Sequence, residues 1–433
     1  MKAFGDIFSL PMKSFEQIRL ALIEQKQEFI NQNPGTTRNL LTVVARYVKT
    51  PFPVIISGLR RAGKSTLLAQ LARRFYPNGN YFYVNFEDER FLAFSAADFA
   101  RLHELLIELF GNQKVFIFDE IQNIAGWERF INRMAKGKYK FYITGSNAAL
   151  LSRELGTKLT GRYLPLELFP FAFDEYLRFR KIKRPKNLTL LTTVQKGELK
   201  KAFAAYWHTG GIPQVLQYPE LPLAKTLYDD ILNRDVAQRY KITDIKSLRG
   251  LTFYLFSNIA SLISYNKLKQ LLQLGSVNTV SGYIEYLQAS WLIFAVNRYA
   301  FSVKKQQIAN KKIYGIDTGL IKTVSFSFSQ NREKFLENIV FLQLCRENRE
   351  NIYYYKTAAN HEVDFYLPRN KTFIQVCLSL ADTQTQTRET QALAEAMKEI
   401  KNSRGLILTE AETSRLYLNQ QSVPVIPIYE WLL

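Results

Sequence analysis

Residues 53–57, Pro-Val-Ile-Ile-Ser, form an apolar β-branched run, and residues 65–75 then place apolar side chains at helical spacing. The same change of period recurs downstream. "NYFYVNF" reads as a strand, "SAADFARLHELLIELF" as a helix capped by Ser95, and "KVFIFDEI" as a buried strand. "GWERFINRMAK" reads as a helix and "YKFYITGS" as a further strand. Strands alternating with helices over this region predict a parallel sheet with crossovers, an α/β fold. Before it, residues 1–50 read mainly as helix, in two stretches separated by the turn Asn33-Pro34-Gly35.

After Pro170 the texture changes. "AFDEYLRFRK", "TTVQKGELKKAFAAYWHTG" and "LAKTLYDDILNRDVAQRY" are long helical stretches, with the turn "GGIPQ" between the second and third. A helix, a turn at Gly275, a second helix beginning near Ser276 and a pair of short strands follow. The last hundred or so residues return to mixed α/β patterning.

Between the first strand and its helix lies Gly58-Leu59-Arg60-Arg61-Ala62-Gly63-Lys64-Ser65, which fits G-x-x-x-x-G-K-[ST] at every fixed position. Glycines at that spacing let the backbone curl so that its N–H groups converge on phosphate oxygens at a helix N-terminus. Lys64 is expected to reach the β- and γ-phosphates of ATP, and Ser65 to offer its hydroxyl to Mg²⁺. Gly58, Arg61, Ala62, Gly63, Lys64, Ser65 and Thr66 form the expected phosphate cradle. Arg60 and Arg61, inside the loop, are expected to shape it or to bind a neighbouring chain rather than to catalyse.

Such a loop needs a carboxylate at the end of a neighbouring buried strand. "KVFIFDEIQNI" supplies two: Asp119 for the metal, and Glu120 as general base to polarise the attacking water. At the end of the next strand, Asn147 or Ser146 is expected to sense the γ-phosphate, Ser146 having the alternative of capping a helix. Among Arg153 and Arg162, Arg162 is the better candidate for the arginine on the transition-state charge, in cis or on a neighbouring subunit. A structural ion pair is its alternative.

Composition narrows the class. Of 433 residues, 47% are hydrophobic and 22% charged, which suits packed cores and argues against disorder. The N-terminus lacks the apolar core of a signal peptide, and no stretch approaches the roughly 18 apolar residues of a membrane span. Cys345 and Cys377 are too few for a disulfide framework and lack metal-ligand spacing; a cytoplasmic protein is expected. His103, His208 and His361 are scattered. The net charge of +20 favours an acidic partner, nucleic acid being the commonest.

"GLRRAGKST", "VNFEDER", "FDEIQNI-GWE", "ITGSNAALL", "LTGRYLPLELFPFAFDEYL" and "GGIPQ" occur in the order found in one family, which the chain resembles. It is the prokaryotic AAA+-type P-loop ATPases (AAA domain family 14) whose C-terminal half is the domain of unknown function 4143. "KKIYGIDTGL", "EKFLENIVFLQL" and "EVDFYL" resemble that C-terminal domain. The resemblance implies an N-terminal helical segment (1–50), a P-loop ATPase core (51–170), a helical lid (171–245), a winged-helix segment (246–325) and a restriction-endonuclease-like α/β domain (326–433).

In the winged-helix segment, Asn278, Thr279 and Ser281 are the polar positions at the start of the second helix, which in a DNA reader would face the major groove. Duplex DNA bound with weak sequence preference is therefore one expected partner; a protein partner or self-association is the alternative. The tail resembles the PD-(D/E)XK nuclease fold. Glu337, Asp364 and Gln375 match its ligand positions, but Cys377 stands where that chemistry needs a lysine. Lys356 and Lys371 are the candidate substitutes, and a binding module without cleavage is the expectation.

Overall fold

The computed structural model describes residues 12–146, 162–185, 187–188, 190–325 and 332–433. They divide into two compact units, Met1–Leu168 and Phe169–Leu433.

The first unit is built on a parallel sheet of β1 (Val54–Gly58), β2 (Phe82–Asn85), β3 (Val115–Asp119), β4 (Lys140–Gly145) and β5 (Leu164–Leu168), in the order β2-β3-β4-β1-β5. Alternation along the strands divides their side chains between two cores. Ile55, Phe82, Val84, Phe116, Phe118 and Ile143 pack with residues of α1 (Met12–Asn31), α4 (Phe99–Phe110) and α5 (Glu128–Lys136). Val54, Ile56, Tyr83, Ile117 and Tyr142 pack on the other face with α2 (Leu40–Ala45) and α3 (Lys64–Phe75). Phe116 stacks on Phe141 with centroids 4.8 Å apart. Burying each such ring stabilises the sheet by about 1.5–3 kcal/mol.

Helix α1 belongs to this unit rather than standing apart from it. Ile18 and Leu22 are buried, Gln25 donates to the Asn85 carbonyl at 3.1 Å, and the Lys26 ammonium donates to the Tyr81 carbonyl at 2.6 Å.

The second unit begins with α6 (Phe173–Phe179), α7 (Thr193–Thr209), α8 (Pro213–Gln217) and α9 (Leu223–Asp230). Then come α10 (Ile245–Ser257), β6 (Ser261–Ile263), α11 (Tyr265–Leu271), α12 (Val277–Ala289), β7 (Ile293–Val296), α13 (Val303–Ile308) and β8 (Lys311–Gly315). Their strands make an antiparallel sheet in the order β6-β8-β7. Ser276 caps α12, its hydroxyl accepting from the Thr279 N–H, while Val280, Ile284 and Leu287 are buried. Past α14 (Thr318–Val324) and α15 (Arg332–Asn348), β9 (Tyr353–Lys356) to β14 (Gln421–Pro427) form a mixed six-stranded sheet. In it β10 is Glu362–Leu367, β11 Thr372–Val376 and β12 Arg404–Thr409, and α16 (Thr383–Glu399) makes the parallel crossover from β11 to β12. Among the described residues, no helix is long and apolar enough to cross a membrane.

Candidate functional site

The first site forms where β1 ends. A Cβ at Gly58 would lie 2.2 Å from the Leu168 carbonyl oxygen, so the pairing of β1 with β5 requires glycine there. Arg61 at φ 63° and Gly63 at φ 94° then reverse the chain into α3, whose first residue is Lys64. The opening N–H groups of a helix have no intrahelical acceptor, which makes this end an anion site. The Lys64 ammonium is buried, 3.4 Å from the Gly58 carbonyl, 3.3 Å from that of Leu59 and 3.2 Å from Glu120 Oε1.

At the end of neighbouring β3, Asp119 is 1% exposed and accepts hydrogen bonds from the Ser65 and Thr144 hydroxyls. Burial, reinforced by Glu120, pushes its carboxyl above the usual range. Burial also pushes Glu120 upward, but Lys64 and the hydrogen bonds from Gln122 and Lys64 outweigh it and hold that carboxyl low. Glu120 sits at φ 51°, a left-handed conformation that costs of order 1–3 kcal/mol in a non-glycine residue. Its N–H donates to Thr144 Oγ1 at 3.0 Å, so one hydroxyl fixes both acidic residues. Gln122 Nε2 donates to Glu120 Oε2 at 2.5 Å and to Ser146 Oγ at 3.3 Å.

Lys64, Ser65, Asp119 and Glu120 are thus brought together, with Ser146 one residue beyond. Arg162 is not among them. It is exposed and precedes β5, whose Leu164 pairs with Val54 and whose Leu168 pairs with Gly58. Six residues at about 3.3 Å each put Arg162 some 20 Å from the loop, at the opposite end of the strands, too far to serve phosphate in cis. Asn147 and Arg153 lie outside the described residues.

Several contributors escape a reading of motifs. Arg38 donates from Nη1 to the Ala62 carbonyl at 2.6 Å. Gln70 accepts from the Arg38 N–H at 3.1 Å and donates to the Pro34 and Thr36 carbonyls at 2.6 and 2.8 Å. The segment read as a simple turn therefore straps onto the phosphate loop and α3. A buried glutamine among Leu67, Leu68 and Leu71 is the sequence signal for it.

A second cluster lies in the C-terminal unit. Lys312 of β8 is 2% exposed, and its ammonium lies 2.7 Å from Glu337, 2.8 Å from Glu362 and 2.9 Å from Asp364. Tyr314 donates to Glu337 Oε1 at 2.6 Å, and the Val376 N–H donates to Asp364 Oδ2 at 2.9 Å. Burial lowers the Lys312 ammonium's affinity for its proton, but Asp364 and Glu337 outweigh this and raise it. Burial and Asp364 push Glu337 up to about 8.

Gln375 is buried and donates to Glu389 rather than joining Lys312; Cys377 is buried, its thiol pushed up by burial and by Glu389. Neither proposed substitute lysine fills the centre. Lys356 lies 3.9 Å from Glu362, and Lys371 lies at the β10–β11 turn. The lysine that does so, Lys312, comes from another sheet.

The first site and its sheet define a P-loop ATPase fold of AAA type. The model described as "AAA domain" matches residues 50–177, a domain of unknown function (DUF8612) matches 200–331, and DUF4143 matches 332–431. "KKIYGIDTGL" therefore falls in the middle domain, not in DUF4143 as the resemblance had it. The uncharacterized protein MJ1544 of Methanocaldococcus jannaschii is 32% identical over 399 residues, 88% of each chain. An uncharacterized protein of Haemophilus influenzae is 30% identical over 322 residues, 71% of this chain and 78% of its own. The chain belongs with them to the family of AAA-type P-loop ATPases carrying a C-terminal DUF4143. Among solved structures, the Walker-type ATPase PABY2304 of Pyrococcus abyssi is 14% identical, with a TM-score of 0.42, covering 68% of this chain and 99% of that one.

Proposed function

We propose that the protein is a Mg²⁺-dependent ATPase working as a nucleotide-controlled switch on duplex DNA. The carrying observation is the convergence of Lys64, Ser65, Asp119 and Glu120 at the ends of β1 and β3. Gly58, Arg61, Ala62, Gly63, Lys64, Ser65 and Thr66 would hold the phosphates of ATP. Ser65 and Asp119 present hard oxygen donors in mutual contact, a set that suits Mg²⁺. The ion supplies charge neutralisation on the phosphate oxygens. A γ-phosphate at the loop competes with Glu120 for the Lys64 ammonium. Once Lys64 turns to phosphate, the Glu120 carboxylate is available to take a proton from the attacking water. Asn147 would sense the γ-phosphate beside Ser146, and Arg162, at the far end of the strands, would serve a neighbouring subunit's site in trans.

The DNA part rests on charge and topology. From Ile245 to Ile316 the chain carries nine lysines and arginines against a single acid, Glu285. This stretch runs helix, strand, helix, helix, strand, short helix, strand with sheet order β6-β8-β7, and a helix pair beside a small antiparallel sheet supports reading it as a winged helix. Asn278, Thr279 and Ser281 lie on the first turns of α12; short polar side chains lack the bidentate readout of arginine on guanine, so specificity is modest. Affinity for two unrelated duplexes is expected to be similar and to fall about 10³-fold between about 50 and 200 mM salt for about six phosphate contacts. Fluorescence anisotropy across a salt series, with and without ATP, checks this. Absence of binding at low salt would favour a protein partner, and superimposable curves with and without ATP would remove the switch.

Lys312 at the centre of the carboxylates, with Cys377 at the expected lysine position, supports a tail that binds without cutting. Plasmid incubated with the protein and Mg²⁺ or Mn²⁺ is expected to remain supercoiled. Nicking that vanishes in Asp364→Ala would contradict this.

A further inference from the structure

The connection between β7 and β8 is anchored at its base and bare beyond it. The Tyr299 N–H donates to the Tyr354 carbonyl at 2.8 Å, and the Tyr299 ring packs on Tyr366 with centroids 4.6 Å apart. Past this anchor, Phe301 is 85% exposed, Val303 68% and Ile308 72%. Helix α13, Val303–Ile308, has no buried residue at all. Six residues are far fewer than the roughly 12–15 that hold a helix unaided in water, so this arm is shaped for something that covers it.

Its chemistry indicates what. Lys304 and Lys305 are interleaved with the three apolar side chains and exposed, Arg298 and Lys311 flank the arm, and residues 297–310 contain no acid. The core of a protein–protein interface is depleted in lysine. An apolar wedge bracketed by cations instead suits the DNA minor groove, where phosphates on either wall take the charges and the apolar tip enters between base steps. We propose that the 300–309 arm is a minor-groove wedge for duplex DNA, with Phe301, Val303 and Ile308 at deformable A·T-rich steps and Lys304 and Lys305 on the phosphates. This rests on the reading of the 245–316 segment as a DNA-binding module and adds a contact separate from the first turns of α12.

The test uses the full chain and a duplex with a central TA step beside a 2-aminopurine, whose fluorescence rises on unstacking. The variants are F301S/V303S/I308S and K304Q/K305Q. All five side chains are exposed, so both variants are expected to melt like the wild type. The apolar triple variant is expected to lose about tenfold or more in affinity, as loss of one stacked ring requires, and to abolish the fluorescence rise while keeping the salt slope. The lysine double variant is expected to lower the slope of log affinity against log salt by about 2. If the wild type binds but the triple variant binds and unstacks equally well, the wedge is wrong and the DNA module stands. If the wild type binds no duplex, both fail. If the triple variant binds DNA normally but changes sedimentation, the arm covers a second copy of the chain and the proposal is overturned.

Discussion

Replacing Glu120 with glutamine is expected to lower ATP turnover about 10²–10⁴-fold, the contribution of a positioned general base, while leaving nucleotide binding intact. Shape and backbone are conserved in this change, so the Glu120 N–H still reaches Thr144 Oγ1 and Asp119 keeps its hydroxyl partners. What is lost is the carboxylate that takes the water's proton and that holds Lys64 at 3.2 Å. Freed of that partner, Lys64 is available to phosphate, and affinity for ATP should not fall. Because Lys64 and Gln122 hold the carboxyl low in the nucleotide-free protein, Glu120 should contribute no acid limb to kcat/KM near neutrality. Steady-state kinetics paired with equilibrium binding of a fluorescent ATP analogue separates the two effects. Undiminished turnover in the variant would remove Glu120 from the base role.

The second large effect lies in the C-terminal unit. Lys312→Met is expected to destabilise it by about 3–5 kcal/mol, the usual loss when one partner of a buried ionic cluster is removed. Glu337, Glu362 and Asp364 would be left facing one another without the ammonium at their centre, Lys356 lying 3.9 Å from Glu362. Joint replacement with Glu337→Gln and Asp364→Asn should restore much of the loss, since two of the three carboxyl groups around Lys312 can then no longer ionise and only Glu362 remains. The cluster also has a pH signature. Glu337 is raised from the ordinary 4.5 to about 8, so its contribution is fully present below about 4.5 and is lost as pH rises through about 8. Glu337→Gln should therefore gain stability relative to the wild type between pH 5 and pH 9. Urea unfolding across that range is the check, and a variant difference independent of pH would contradict the raised carboxyl.

What could be read from the sequence was what local chemistry demands. Gly58 and Gly63 are dictated by a close backbone approach and a left-handed turn, Lys64 and Ser65 by their place after it, and Asp119-Glu120 by their emergence from a strand buried on both faces. Residues that act through long-range pairing left weaker traces. Thr144 and Gln122 matter because β4 lies beside β3, and Arg38 because a strap folds back onto the loop. Arg162 looked suitable from its Gly-Arg context, but the parallel register of β5 with β1 decides which end of the sheet it occupies. Lys312 was missed for the same reason. The motif places a lysine two residues after Gln375, whereas the sheet β6-β8-β7 delivers one from 52 residues before Asp364.

Phosphate release from Mg²⁺-ATP by the wild-type chain, measured beside Lys64→Ala, tests the central claim most directly. The wild type should turn over ATP, stop when Mg²⁺ is chelated, and lose both nucleotide binding and turnover in Lys64→Ala. A wild-type chain that binds no ATP, or a Lys64→Ala variant that binds and hydrolyses it as well as the wild type, would contradict the assignment of the loop at Gly58–Ser65 as the nucleotide site.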